Sequence, residues 1–230
     1  GVIALVGCMA ERLTDAEKKE IGVDIIVGNS DKNKLYDLVR ATTFKRNTEY
    51  MEDIMHCRTF IETPVTGRHS DRSRGYIKIQ DGCNRFCSYC IIPYTRGKIR
   101  SRKEDQVFEE VKKLAALGFK EIILTGIHVL AYGKDLGDTN LIKLLKRVHD
   151  IEGIERIRMS SIEPVAITEE FINALREMPK VCHHFHLSLQ SGSDKILKLM
   201  NRKYDLKYFK NRIKEIKLLR DDISITTDLI

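Results

Sequence analysis

Tyr76-Ile77-Lys78-Ile79-Gln80-Asp81-Gly82-Cys83-Asn84-Arg85-Phe86-Cys87-Ser88-Tyr89-Cys90 joins a strand-like run to three thiols at C-x3-C-x2-C spacing. Tyr76 to Ile79 alternates as a strand, and the cysteines follow its C-terminal end in a loop that contains Gly82. Three thiolates can hold three irons of a cubane [4Fe–4S] cluster and leave the fourth iron open. An open iron is a reaction site, whereas a fully ligated cluster stores or passes electrons. Structural zinc is the competing reading. It usually takes four ligands in two pairs, but no second Cys pair follows here, and Cys182 and His183 stand apart from any partner pair. Disulfides suit small, Cys-dense secreted domains, and six Cys in 230 residues is not that composition.

Beyond this loop, strands and helices alternate. Ser101 and Glu104 form a capping-box pattern that predicts a helix running to Leu117, with Gly118 as its stop. Strands are predicted over 121–124, 156–159, 184–189 and 223–227. Helices are predicted over 141–149 and 169–178, and after Ser193 and Asp205. That is five strand-helix steps, for which right-handed crossovers and a parallel sheet are expected. In such sheets, function gathers at the C-terminal strand ends. Polar residues stand at all five: the cysteines, then Thr125, Gly126 and His128, then Ser160, Ser161 and Glu163, then Gln190 and Ser191, and lastly Asp228. One polar strand end is ordinary, but five on one rim make a site.

Upstream, Ile3 to Val6 and Val23 to Val27 read as strands. The helix after the first has Thr14 and Glu17 as a capping box, and Asn29-Ser30-Asp31 caps a second helix through Ala41. This pattern predicts part of an open α/β domain. From Thr42 to Arg74 periodicity fades into a connector with a basic run, Arg68 to Arg74, and one extended segment near Phe60 to Thr63. A domain boundary is expected near residue 70, with one domain over 1–70 and another over 71–230.

Composition is that of a globular protein, 42% hydrophobic and 32% charged, and no apolar run is long enough to span a bilayer. Net charge is +7, from 40 Lys and Arg against 33 Asp and Glu. That suits a phosphate-bearing partner without demanding one. The chain opens on Gly1 directly before an apolar run and stops within another, which predicts a fragment of a longer protein. Thiols in a cluster motif favour a reducing cytoplasm.

The Cys83/Cys87/Cys90 spacing, with Tyr89 before the third Cys, resembles the signature of the radical S-adenosylmethionine superfamily. Further blocks look like its methylthiotransferase family. They are Gly82 to Tyr94, Arg96-Gly97, Arg100-Ser101-Arg102, Ser160 to Pro164, Leu189 to Ser193, Met200-Asn201-Arg202 and Gly7-Cys8. The resemblance implies an α/β fold: a partial parallel (β/α) radical-SAM barrel preceded by part of an open α/β N-terminal domain. Thr125-Gly126-Ile127-His128 and Ser161-Ile162-Glu163-Pro164 look like the branch that modifies threonylcarbamoyladenosine in tRNA. The branch acting on isopentenyladenosine tends to carry Gln-Asn where this chain has Ile127-His128, and a third branch acts on a ribosomal protein.

By that resemblance Cys83, Cys87 and Cys90 ligate a [4Fe–4S] cluster that binds S-adenosylmethionine. Tyr89, Gly126, Ser161, Glu163 and Gln190 are implied cofactor-binding residues, Glu163 the more so because a carboxylate in a barrel mouth is costly to bury idle. Cys8 matches the last of three Cys that hold an auxiliary sulfur-donating cluster in the family, the other two lying upstream of this chain. Arg96, Lys98, Arg100 and Arg102 form a basic strip suited to anticodon-loop phosphates of tRNA. An electron donor such as flavodoxin or ferredoxin is implied, and no membrane. Cys57 and Cys182 read as structural, and no role is assigned to His128, His183, His184 or His186.

Overall fold

A computed structural model describes residues 1–41, 48–62 and 73–230. The expected boundary near residue 70 and the first five residues of the run Arg68 to Arg74 lie outside them. Two compact units are present: Gly1–Pro64 with Gly82–Phe86 and Cys90–Arg100, and Val65–Asp81 with Cys87–Tyr89 and Ser101–Ile230.

In the first unit, strands β1 (Ala4–Val6), β2 (Ile25–Val27) and β3 (Thr48–Tyr50) form a parallel sheet in that order. β2 is β-branched and wholly buried, as a central strand covered on both faces should be. Ala10, Val23 and Ile26 make the core, with Leu5 and Met51 packed against it. Helix α1 (Asp15–Glu20) starts with the expected capping box: Glu17 N–H donates to Thr14 Oγ1, and Thr14 N–H donates back to the Glu17 carboxylate. Helix α2 (Leu35–Ala41) follows a short 3-10 turn, Lys32–Lys34, whose Asp31 cap makes no side-chain hydrogen bond to the helix. Asp31 is instead bound to Ser30 and Lys34. The short helix α3 (Ile92–Arg96), with Pro93 in its first turn, also belongs to this unit. β3 falls where only a connector was expected. Phe60 to Glu62 form no strand, and Thr63 lies outside the described residues.

In the second unit the long strand β4 (Arg74–Asp81) pairs in parallel with β6 (Glu121–Gly126), and β6 with β7 (Arg156–Met159). The sheet order is β5-β4-β6-β7, with β5 at Arg100–Ser101. β8 (His184–His186) pairs in parallel with β9 (Ser224–Thr226), and two isolated bridges, Ile157 to Val181 and Ile162 to Leu187, carry the curve from β7 towards β8. Helices α4 (Glu104–Ala116), α5 (Leu141–His149), α6 (Glu169–Arg176), α7 (Asp194–Leu199) and α8 (Leu206–Lys217) alternate with these strands. The result is a partly closed parallel (β/α) barrel, as expected. Its core sits between sheet and helices and includes Ile77, Ile79, Val111, Leu144, Ile157 and Phe171.

Asn140, Thr168 and Asp205 cap α5, α6 and α8 through their side chains. Ser101 does not cap α4. It lies in β5, where its N–H and Oγ both donate to Asp135 at 2.8 and 2.5 Å, so its hydroxyl is committed 34 residues away. Lys103 takes the cap position without a side-chain bond. No helix among the described residues is long and apolar enough to cross a membrane.

At the N-terminal end of β6, Glu121 is 3% exposed and accepts from Arg156 Nε at 2.8 Å and Arg158 Nε at 3.2 Å, with Arg74 Nε at 3.1 Å. Burial alone would push its carboxyl up, but the hydrogen bonds from Arg156 and Arg158 and the charge of Arg74 hold it below the ordinary value. A depressed carboxyl contributes stability above its unfolded pKa of about 4.3. That stability is lost as pH falls through the lower folded pKa. Glu121→Gln is expected to cost about 1–2 kcal/mol at pH 7, moderated by solvent around the half-exposed arginines. The penalty should shrink in acid, as urea titrations at pH 7 and pH 3 would show.

Candidate functional site

The C-terminal strand ends of the second unit carry a connected polar network. The penultimate residue of β4 is Gln80, whose Nε2 donates to Asp81 O at 2.6 Å and whose Oε1 accepts from His128 N–H at 2.7 Å. Opposite it in register is Gly126. A Cβ there would lie 3.0 Å from Gln80 Oε1, so the glycine leaves room for the Gln80 side chain. That packing accounts for Gly126 within the protein, beside the cofactor approach expected of it.

His128 and Glu163 are both buried, and His128 Nε2 lies 3.8 Å from Glu163 Oε2. Glu163, 9% exposed, accepts from Arg202 Nη1 at 3.0 Å through Oε1. Arg202 then turns its other terminal nitrogen outward: Nη2 donates to Tyr89 OH at 2.8 Å. The guanidinium stands 5.8 Å from the ring centroids of both Tyr89 and Tyr204. Tyr204 OH donates to the carbonyls of Ser188 and Leu189. Burial pushes the Tyr204 phenol up to about 12, against the Arg202 charge, so it stays a donor across the physiological range. Burial works against the charge on Arg202, yet Tyr204, Cys87, Tyr89 and Glu163 together raise its pKa. It is therefore a permanent buried cation.

Of the residues singled out in the sequence, Tyr89 and Glu163 are thus joined through Arg202. The Ser161 and Gln190 side chains do not enter the network. Ser161 is exposed, and Gln190 holds a left-handed φ of 74° while its backbone bonds Asp228 O and Ile230 N–H. Arg202, His128 and Gln80 carry the network although no role was read for them. The traces were His128 among the polar strand-end residues and the block Met200-Asn201-Arg202.

Cys83, Cys87 and Cys90 lie on the stretch after β4 that has no helix or strand, each partly exposed and none in a disulfide. Arg85 N–H donates to Cys83 Sγ at 3.4 Å, the kind of bond that steadies a thiolate, and Cys83 N–H donates to Gly97 O at 3.0 Å. Three thiols within eight residues are a donor set that fits an iron–sulfur cluster. Among the described residues, however, no three Cys, His, Asp or Glu side chains are gathered closely enough to hold a metal ion.

In the first unit, Cys8 Sγ accepts from Asn29 Nδ2 at 3.5 Å and from Arg96 Nε at 3.0 Å, and Asn29 Nδ2 also donates to Thr95 O at 2.6 Å. Burial would raise the thiol, but the Asn29 hydrogen bond and the Arg96 charge outweigh it and hold its pKa below the ordinary value. Burial pushes the Cys182 thiol the other way. At pH 7.5 Cys8 is therefore expected to alkylate several-fold faster than Cys182, and Arg96→Leu to slow it. Iodoacetamide kinetics read by peptide mass spectrometry check this.

Arg96 is thus engaged with Cys8. Arg100 is 1% exposed, and Arg102 is buried in an ion pair with Glu110. Of the four basic residues after the cysteine loop, Lys98 is the exposed one. Arg100 and Arg102 are thus largely turned into the protein, unlike the solvated residues their type suggests.

Residues 77–230 match the Radical SAM superfamily. Over its whole length the chain is 41% identical to the threonylcarbamoyladenosine tRNA methylthiotransferase MtaB of Bacillus subtilis, covering 51% of that protein. It is 40% identical to a tRNA-2-methylthio-N(6)-dimethylallyladenosine synthase of Acetivibrio thermocellus, covering 48%. The chain spans about half the length of these curated relatives. Among solved structures, the radical S-adenosylmethionine methyltransferase TsrM of Kitasatospora setae, with tryptophan and aza-SAM bound, superposes with a TM-score of 0.66. That match covers 99% of this chain and 49% of the other, at 15% identity. The apo cobalamin-dependent radical enzyme OxsB gives 0.60 over 98% of this chain and 39% of the other, at 10% identity. At such identities the likeness concerns the fold.

Proposed function

The chain belongs to the radical SAM superfamily, and we propose that it is the radical-generating portion of a tRNA methylthiotransferase. The carrying observation is the Cys83/Cys87/Cys90 loop, which leaves the C-terminal end of the first strand of a parallel curved sheet. Function gathers at that end in this architecture. The three thiols would hold a [4Fe–4S] cluster, and Cys8 one corner of an auxiliary cluster completed by residues outside this chain. With S-adenosylmethionine bound, such a cluster supplies the one-electron chemistry needed to activate an unreactive aromatic C–H.

The chain's own residues do the rest. Glu163, buried and fixed by Arg202, offers a carboxylate to the ribose hydroxyls or amine of the cofactor. Tyr89 offers a ring edge to its adenine, and Ser161 and Gln190 offer further polar contacts from neighbouring strand ends. Residues 71–230 make the radical domain, and 1–70 the end of the preceding domain with its connector. tRNA would present an unstacked base at the rim, with Lys98 as the exposed basic residue near the loop in sequence. Electrons would come from a flavodoxin- or ferredoxin-type donor in the cytoplasm.

Identities of 41% and 40% to relatives named for two different tRNA bases do not separate the substrates. The threonylcarbamoyladenosine reading rests on Ile127-His128, where the buried His128 faces Glu163. Mass spectrometry of tRNA from a strain lacking the full-length gene tests it. Loss of 2-methylthio-threonylcarbamoyladenosine supports the reading. Loss of the methylthio group from isopentenyladenosine instead transfers the assignment to the other branch, and an unchanged nucleoside profile removes tRNA as substrate.

A further inference from the structure

The turn after α7 enters the function proposed above only through Arg202, the side chain it is built around. α7 ends at Leu199, and Asn201 takes a left-handed φ of 58°, which reverses the chain. Arg202 N–H returns to Leu197 O at 2.9 Å and closes the reversal. Two bonds then run from this turn to the cysteine loop: Ser88 N–H donates to Met200 O at 3.3 Å, and Arg202 Nη2 donates to Tyr89 OH at 2.8 Å. Arg202 reaches the other way to Glu163 at 3.0 Å. The Arg202 side chain is 7% exposed, whereas Tyr89 is 48% exposed. A long, flexible cation is costly to desolvate and order. Here the cost is offset by a carboxylate, a phenol and two aromatic faces converging on one planar group. Only a guanidinium can serve all of them at once.

We propose that Arg202 is a positioning residue. From the turn after α7 it locks Tyr89, and with it the segment Cys87-Ser88-Tyr89, to the buried carboxylate of Glu163. One thiol ligand and the carboxylate offered to the cofactor are thereby held in a single register. The link to S-adenosylmethionine rests on the cofactor reading above, but the lock itself does not.

The experiment has two arms, both on full-length protein. In the first, hydrogen exchange is followed in the iron-free protein for peptides covering 87–90. Arg202→Met is expected to raise exchange at the Ser88 amide at least tenfold, and Tyr89→Phe, a change at a half-exposed ring that leaves the core intact, to raise it several-fold. Wild-type protection in a folded Arg202→Met or in Tyr89→Phe overturns the lock. In the second arm the proteins are reconstituted anaerobically and titrated with S-adenosylmethionine while the reduced-cluster electron paramagnetic resonance signal is recorded. Arg202→Met should load iron like wild type, bind S-adenosylmethionine tenfold or more weakly and lose the ligand-induced change in the signal. Arg202→Lys, which keeps the charge without the fork, should recover the affinity only in part. Equal affinity and an unchanged signal in Arg202→Met overturn the positioning role. A wild-type protein that takes up no iron rejects the cofactor reading instead, and the exchange arm still decides the lock.

Discussion

Cys87→Ala is expected to abolish the iron–sulfur absorbance of anaerobically reconstituted protein, while Cys57→Ala leaves it unchanged. Two thiolates cannot retain a cubane that needs at least three, so iron should fall from about four per chain to near none. Cys57 lies in a separate stretch, where its Sγ bonds Thr59 O at 3.7 Å. The comparison therefore separates a ligand from a bystander thiol in one preparation. Metal analysis showing one zinc and no iron in the wild-type protein would return the loop to the structural-zinc reading. Iron retained by Cys87→Ala would remove Cys87 from the ligand set.

Gly82→Ala is the second large effect. Gly82 has a φ of +72°, and a Cβ there would lie 1.9 Å from Lys98 O, with no flexible side chain to give way. Left-handed strain alone costs about 1–3 kcal/mol. Moving the loop also threatens the bonds from Cys83 N–H to Gly97 O at 3.0 Å and from Ile99 N–H to Asn84 Oδ1 at 3.2 Å, each worth about 1 kcal/mol. A loss of roughly 3 kcal/mol or more is expected in urea unfolding, together with loss of iron loading. Gly118→Ala is the control. Its φ is +89°, but nothing lies within 4 Å of the added carbon, so only the backbone strain should appear. Equal losses at the two sites would show that the contact with Lys98 O does not matter.

The elements that were legible in the sequence are those whose neighbours are apolar and local. β4, β6 and β7 stand out because Ile77, Ile79, Ile122, Leu124 and Ile157 are core residues in alternation. β3 was hidden because Thr48-Glu49-Tyr50 carries no apolar pattern and becomes a strand by pairing with β2. Ser101 imitates a helix start in sequence, but its partner Asp135 is distant along the chain. Arg100 and Arg102 read as surface residues by type, and burial beside groups such as Glu110 reverses that. At the site, the cysteine spacing and Glu163 could be read from local pattern and strand-end position. Arg202 could not, because 39 and 113 residues of chain separate it from Glu163 and Tyr89.

The stretch between β7 and β8 has a mechanical meaning. Backbone bonds join the two chains at Ile157, which donates to Lys180 O and accepts from Cys182 N–H, and again at Ile162, which donates to His186 O and accepts from Ser188 N–H. Between these two points no ladder is formed among the described residues. A continuous ladder resists changes of curvature, because every rung must shift together; two pinned points with a slot between them do not. Glu163 follows directly after the upper pin. A change of curvature at this edge would therefore fall on the slot, while Ile162, next to Glu163, stays hydrogen-bonded on both sides.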